Sequence, residues 1–494
     1  MTGTETRSPL ARMLNPVRLD DPTRTTLARG GALSTVGLIA QGILRFATSF
    51  LVGHLAGKSA LGVVASAIAT ATILAVLWPT STGSAASKFL ARSRGAGDSV
   101  ETKAIAAHLR QRTTQTVLLL AAISLPIWVL IDHGSWPDAL SVAALTIAYS
   151  GYSFTRGVQF GAGQVPRAVS WDVTSVALGL AGLVAMLLAG VRGPALVLPL
   201  VLAYGIYTVA GWPYRVSGRP SRGRRRELDG FVALGAAGSL ASTGFLQLSQ
   251  IAAKLAGGNA SAGQYAAALN LATPASMLAA SLGLVLLPSM SEAWGRGDHA
   301  SFHAQTDRAT RALAIVMVAI FGSVIVCSRL LVEVVWGDRY AGAENILPIL
   351  VVAVLATNLG LASVNAMTTR SQRGMVITTG ASIVGMATGA VLWLVFTPGM
   401  GIEGVALGYL CGTVVIAAIP IGLVWRTSGH TWGPIFGKVA LGLVVVGVLA
   451  VVERFAHLPI VLDPVFALGF LAAWWALNRA DVARLPIPRP WHRG

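Results

Sequence analysis

The chain has 494 residues, of which 54% are hydrophobic and 12% charged, with 37 Lys and Arg against 20 Asp and Glu. A water-soluble domain carries about 25% charged residues, so this composition, with a mean hydropathy of +0.67, excludes a soluble enzyme and indicates an integral membrane protein. The formal net charge of +17 calls for no nucleic-acid partner, because basic residues collect on the cytoplasmic side of multi-span proteins.

Residues 1–29 are polar and rich in Pro and Thr. They lack the apolar stretch and small-residue cleavage site of a signal peptide, and read as a disordered cytosolic tail. Crossing about 30 Å of hydrocarbon takes about 20 apolar residues. Fourteen such runs follow, at 31–56, 60–86, 113–131, 138–156, 168–190, 194–213, 231–254, 263–287, 310–335, 345–367, 375–396, 402–425, 438–452 and 459–477. The expected fold is all-α, with an N-lobe at 30–213 (spans 1–6), a basic cytoplasmic linker at 214–230, a C-lobe at 231–425 (spans 7–12), spans 13 and 14 within 426–478, and a cytosolic tail at 479–494. Pro79 and Pro274 fall inside spans 2 and 8, where a proline removes a helix hydrogen bond and permits a bend. Cys327 and Cys411 lie in apolar runs and read as packed thiols rather than a disulfide framework.

Charge asymmetry fixes an orientation. With the N-terminus in the cytoplasm, cytoplasmic segments hold 30 of the 37 basic residues and outer segments hold six: Lys58, Arg192, Lys254, Arg329, Arg339 and Arg454. The remaining one is Arg45, near the middle of span 1. Both termini are therefore expected in the cytoplasm. The outer loops are short, such as "AGVRGP" and "GDRYAGAEN", and none can house a catalytic domain.

The second half repeats the first. Shifted by 200 residues, 30–98 and 230–298 share 13 identities in 69 positions, among them Gly57, Gly97 and Asp98. "LAGKSALG" meets "LAGGNASAG" at an outer turn, and "RGAGD" meets "GRGD" at an inner one. A separation of six spans keeps the repeats parallel, related by a pseudo-two-fold axis along the membrane normal.

Three segments carry a family resemblance. "NASAGQYAAALNLATP" has a Gly-x-Tyr-x-x-Ala turn, "VVWGDRYAGAENILPILVVA" has a short outer Gly-x-x-Tyr, and "FTPGMGIEGVALGYLCGT" has the Pro-x-x-Gly-Ile-x-Gly joint between paired helices. In order and spacing, from about 30 to 478, the chain resembles the multidrug/oligosaccharidyl-lipid/polysaccharide (MOP) exporter superfamily, and within it the polysaccharide and lipid II flippase branch. The resemblance implies that spans 1, 2, 7 and 8 line a central cavity, and that spans 13 and 14 form a groove for a lipid tail.

Polar residues on those four spans fall at helical spacing. Span 1 carries Ser34, Gln41, Arg45 and Thr48, and span 7 carries Ser239, Thr243, Gln247, Gln250 and Lys254. Side chains three, four or seven apart share a helix face. Span 2 adds Thr70, Ser81, Ser84 and Lys88, and span 8 adds Asn270 and Ser281. Polar groups within a membrane face a bundle interior or water rather than lipid. Each can also act as helix–helix glue, and Lys88 and Lys254 lie near enough to span ends to snorkel.

A lipid-linked sugar carries a phosphate or diphosphate, and an arginine fork binds phosphate oxygens bidentately. The expectation is thus a monomeric flippase for a lipid-linked glycan in the cytoplasmic membrane of a bacterium. It would work by alternating access, among membrane lipids and beside glycosyltransferase or polymerase machinery. The substrate-binding residues expected are Ser34, Gln41, Arg45, Thr48, Lys88, Thr243, Gln247, Gln250, Lys254 and Asn270. The alternative is a drug or cation antiporter of the same superfamily, which needs acids on the cavity spans. Spans 1, 2, 7 and 8 have none, and Asp172, Glu333, Glu403 and Glu453 read as lying close to span ends. No P-loop, metal-ligand cluster or nucleophile arrangement is present, so neither enzyme activity nor a metal or other cofactor is expected.

Overall fold

The computed structural model describes residues 27–131, 134–277, 297–456 and 459–483, with isolated positions at 19 and within 279–294. The expected N-terminal tail lies almost entirely outside the described residues. So do 484–494 of the C-terminal tail, and the later part of span 8, including Ser281.

Every regular element among the described residues is helical. In chain order they are α1 (Leu27–Leu55), α2 (Lys58–Leu77), α3 (Pro79–Gly95), α4 (Ser99–Ile131), α5 (Trp136–Gly161), α6 (Val165–Leu188), α7 (Leu198–Gly211) and α8 (Arg222–Ser239). A π-helical turn (Leu240–Gly244) leads into α9 (Phe245–Ala272). Then come α10 (His299–Val326), α11 (Ser328–Trp336), α12 (Ala343–Arg370), α13 (Gln372–Met400), α14 (Ile402–Ser428), α15 (Gly433–Phe455) and α16 (Asp463–Ala483).

Among the described residues, twelve segments are long and apolar enough to cross a membrane, which makes this a multi-pass membrane protein. The sequence count of fourteen is higher for two reasons. The segment Arg222–Ala272 is a single candidate, yet Gly257 (φ −151°, ψ 16°) and Gly258 (φ 73°, ψ −169°) leave the helical region inside it. It therefore consists of two limbs. The other difference is α5, a 26-residue helix that is not among the twelve.

Other sequence expectations meet the structure at particular residues. Span 2 is broken where expected: Trp78 (φ −150°, ψ −52°) ends α2 and Pro79 opens α3 at its first turn. The basic segment 214–230 is not all linker. Ser221 caps α8 by accepting from the Arg224 amide, and Arg224 Nε donates to Glu101 at 2.8 Å.

The chain divides into two compact units, 1–266 and 267–494. The division falls within the eighth expected span rather than at the basic segment. Span 7 goes with the first unit because α8 packs on α2 and α3, with Gly235 against Ser81.

In the first unit α5 is central, packing against α2, α3, α4 and α7. Glycines permit its close crossing with α3. A Cβ on Gly83 would stand 2.4 Å from the Ser153 carbonyl oxygen, and one on Gly157 would stand 2.0 Å from that of Gly83. In the second unit α14 packs on α12 and α13, while α10 packs on α12, α15 and α16. Trp474 on α16 donates its indole N–H to the Ile315 carbonyl at 2.9 Å. The outward residues of α15 and α16, such as Val444, Val448, Leu468 and Trp475, are exposed and apolar, as lipid contact requires.

The repeat is visible in the backbone. Gly57 (φ 91°, ψ 173°) and Gly258 (φ 73°, ψ −169°) take the same conformation at the two outer turns, one open to glycine but not to residues with a Cβ. At the inner turns Gly97 and Gly297 have φ of 76° and 73°. Asp98 then accepts from the Glu101 amide at 2.7 Å and Asp298 from the Ser301 amide at 2.9 Å, so each following helix has an aspartate N-cap.

Candidate functional site

The polar stripe of α1 faces inward within the first unit. Ser34 and Thr48 are buried, Gln41 and Arg45 half-buried, while Val36, Ile39 and Ile43 on the other side are exposed. The stripe meets α5, α6 and α7. Arg45 Nη2 donates to the Tyr149 hydroxyl at 2.7 Å, and its guanidinium carbon lies 5.3 Å from the Tyr149 ring centroid. Among the described residues no carboxylate pairs with Arg45. The space it shares with Thr72, Tyr149 and Tyr204 is only about 10 Å³, so in this state the guanidinium is enclosed by phenols rather than set in an open cavity.

One turn away, Gln41 Nε2 donates to Asp172 Oδ1 at 3.2 Å. Asp172 is fully buried and also accepts from the Tyr152 hydroxyl at 3.0 Å and from Arg156 Nε at 3.2 Å. Sequence reading placed Asp172 close to a span end. The structure corrects this, because α6 begins at Val165 and carries Asp172 two turns inward, against α1 and α5. Tyr207 on α7 donates to Gln159 Oε1 at 3.1 Å. Gln41 Oε1, Arg156 Nη2 and Gln159 Nε2 are buried without a hydrogen-bond partner among the described residues, which leaves this cluster with hydrogen-bonding capacity. Its charges are two guanidiniums and one carboxylate, and Asp172 offsets Arg156, not Arg45.

The remaining expected residues are spread more widely. Gln247 is buried, Gln250 and Lys254 are half-buried, and Thr243 is exposed. The span 7 stripe assumed 3.6 residues per turn throughout. The π turn at Leu240–Gly244 inserts a residue relative to an α-helix, so Thr243 and Gln247 do not share one environment. The Lys254 ammonium lies 4.9 Å from a Trp128 ring centroid. Exposed Lys88 lies 4.5 Å from that of Phe231, a cation–π contact at the edge of the unit. Asn270 is half-buried and belongs to the second unit.

Residues 112–345 match a family model described as "Polysaccharide biosynthesis protein". A comparison with curated proteins finds no match. Among solved structures, the chain is similar to an inward-facing multidrug resistance MATE family transporter of the MOP superfamily, with a TM-score of 0.66 and 15% identity over 78% of this chain and 94% of that one. The fold is that of the MOP superfamily. A MOP superfamily transporter from Pyrococcus furiosus Vc1, described as having a binding pocket of reverse polarity, gives a TM-score of 0.62 at 15% identity over 82% and 95% of the two chains. An outward-facing MATE transporter gives 0.60 at 15% identity over 84% and 97%.

On this MOP fold, the residues that sequence reasoning missed are the partners of the α1 stripe. Four of the chain's eight tyrosines gather here as i,i+3 pairs, Tyr149 and Tyr152 on α5 and Tyr204 and Tyr207 on α7. Their rings contact one another at centroid distances of 4.7–5.2 Å between the helices. Tyr149, Tyr152 and Arg156 form a stripe at i, i+3 and i+7 on span 4, a signal as strong as the one on span 1.

Proposed function

We propose that this MOP-fold protein moves a lipid-linked glycan, carried on a phosphate or diphosphate, across the cytoplasmic membrane of a bacterium, with both termini in the cytoplasm. The observation that carries the reading is Arg45, a half-buried guanidinium inside an apolar span whose hydrogen-bond partner is a neutral phenol. Charged residues at mid-span are costly and are kept where they serve substrates or ions. A phosphate oxygen makes a stronger, charge-assisted bond to a guanidinium than a phenol does. The family description of residues 112–345 supports a glycan cargo, and the Gln, Ser and Thr groups of the α1 and α9 stripes suit sugar hydroxyls. Glycosyltransferases and a polymerase acting on the same glycan are the expected neighbours.

The cation-antiporter reading needs an acid held for a transported cation. Asp172 is the acid nearest the α1 stripe, and its Oδ2 is already paired with Arg156, which favours the anionic cargo.

The test is delivery of lipid-linked sugar to the outer leaflet in a complemented deletion strain, with membrane abundance measured alongside. Losing a charged hydrogen bond of roughly 1.5–3 kcal/mol corresponds to about a ten- to hundredfold loss in affinity. Arg45→Ala should abolish or severely reduce delivery at normal abundance. Arg45→Lys should rescue partly, because it keeps the charge and loses the fork. Full activity of Arg45→Ala would overturn the role of Arg45 and leave helix packing as its explanation.

A further inference from the structure

The second unit contains a cavity of about 660 Å³ lined by residues of α10, α11, α12, α14 and α15. Its polarity is graded along the helices. On α12 the lining runs from Glu344 and Asn345 to Ile349 and Val352, and on α15 it runs from Glu453 back to Leu443. At 1.5 Å per residue, the slot is about 12–15 Å deep, polar at one mouth and apolar below. That is the profile of an amphipathic molecule with its head at the membrane surface.

The polar mouth holds charges of both signs. Arg329 Nη1 donates to the Glu453 carbonyl oxygen at 3.1 Å, which fixes a guanidinium beside that residue. Glu453 is 2% exposed, and its Oε1 is buried with no hydrogen-bond partner among the described residues. Asn345 is tied to a further acid, its Nδ2 donating to Glu403 Oε1 at 3.1 Å, and Glu344 completes the mouth. A carboxylate buried in such a site favours a cationic hydrogen-bond donor, while a guanidinium favours a phosphate.

We propose that this cavity binds a phospholipid with a primary-amine headgroup, of the phosphatidylethanolamine type. Arg329 takes the phosphate, Glu453 and Glu344 take the ammonium, and the α12 and α15 walls hold the upper acyl chain. A quaternary headgroup carries the charge but has no N–H to give. A glycerol headgroup has no cation. A polyprenyl phosphate brings anionic charge to a mouth with an excess of acids. The site is separate from Arg45 and does not depend on the cargo proposed above.

Purified full-length protein, delipidated in detergent, is titrated with phosphatidylethanolamine, phosphatidylcholine or phosphatidylglycerol of identical acyl chains, and retention is read by native mass spectrometry. Phosphatidylethanolamine should be retained about tenfold better than either competitor, the scale of one charge-assisted hydrogen bond. Glu344→Gln combined with Glu453→Gln should bring the three lipids to parity. Gly447→Phe offers a second variant, because Gly447 lines the cavity and a Cβ there meets nothing within 4 Å. It should block retention of all three lipids with thermal stability unchanged. Equal retention of the three lipids by the parent protein would overturn the proposal, as would an ethanolamine preference that survives in the double variant. Displacement of bound phosphatidylethanolamine by polyprenyl phosphate at equal concentration would overturn it too and assign the slot to a cargo tail.

Discussion

Gly62 on α2 and Gly263 on the second limb of α9 lie back to back. A Cβ built on Gly62 would stand 1.8 Å from the Asn259 carbonyl oxygen and 2.9 Å from the Gly263 nitrogen, and one on Gly263 would stand 2.0 Å from the Lys58 carbonyl oxygen. The contact is reciprocal: each glycine accepts the backbone of the partner limb four residues before the other glycine. The two positions are 201 apart, the offset of Gly57 and Gly258, so the crossing follows from the repeat. Small residues allow such close approach of helices in membranes, where dispersion contacts replace the hydrophobic effect as the driving force.

Gly62→Ala and Gly263→Ala should each destabilise this crossing, because a methyl group cannot sit that close to a backbone oxygen without displacing the helix. Overpacking of this kind costs about 1–3 kcal/mol. The measurement is the thermal midpoint of the purified protein in detergent, with Gly205→Ala as the control, since a Cβ at Gly205 meets nothing within 4 Å. The double variant should fall short of the sum of the singles, because both relieve the same contact. Midpoints equal to the control would mean that the limbs separate freely.

Asp172 and Arg156 should behave as a structural pair. Removing one member of a buried pair leaves an uncompensated charge, at a cost of up to about 3–5 kcal/mol, whereas replacing both with apolar groups can be nearly neutral. Asp172→Asn should therefore lower the thermal midpoint sharply, Arg156→Met less so because its side chain is 21% exposed, and Asp172→Leu with Arg156→Met should recover most of the loss. A double variant as unstable as the worse single would show that the remaining contacts of Asp172, to Gln41 and Tyr152, matter more than the ion pair.

The sequence made the architecture legible through features with a short physical range. Gly57, Gly97 and Asp98 announced the repeat because a positive φ and an aspartate N-cap are decided within one turn. Pro79 announced a bend in span 2 for the same reason, and the helix is interrupted there. The α1 stripe was correctly read as inward-facing, but its partners were not, because Tyr149 lies 104 positions from Arg45 and Asp172 lies 131 from Gln41. Helical periodicity gives a face, not the helix it meets. The span 7 stripe was misaligned because nothing in "LASTG" distinguishes a π turn from an α turn. Span 2 and α3 show the opposite case: Lys88 was read by position as able to snorkel, and its ammonium lies outside the polar cluster, over the Phe231 ring.

His430 should make the second unit acid-sensitive. It follows α14 and stacks on Trp432, with ring centroids 4.6 Å apart and an interplanar angle of 6°. Burial holds its imidazole below the ordinary histidine value, and His303, Arg370 and Arg311 add to this against the opposing charge of Asp307. A group whose pKa falls on folding binds its proton more readily in the unfolded chain. Stability is then fully present above the unfolded value of about 6.5 and declines as the pH falls through it. The thermal midpoint should fall between about pH 7.5 and 5.5, and His430→Phe, which keeps a ring over Trp432, should flatten that fall. Parallel pH profiles for the two proteins would place the acid sensitivity elsewhere.

Orientation is tested by labelling, and the position of the native thiols makes the test clean. Gly223, in the basic segment at the start of α8, and Ala341, between α11 and α12, are both exposed. The distribution of Lys and Arg assigns the first to the cytoplasm and the second to the outside. A thiol labels only where the aqueous reagent can reach it. Cys327, in the apolar run of span 9, is half-buried, which slows its labelling. Cys411 is half-buried within α14. A membrane-impermeant maleimide should therefore give little signal on the parent protein in intact cells. Ala341→Cys should label in intact cells, and Gly223→Cys only after permeabilisation. The reverse pattern would turn the molecule over in the membrane. It would also place the mouth formed by Arg329, Glu344 and Glu453 in the cytoplasmic leaflet while leaving its chemistry unchanged. Labelling of both positions in intact cells would mean an odd number of crossings between residues 223 and 341 is wrong, and with it the assignment of two limbs to the helix that bends at Gly257 and Gly258.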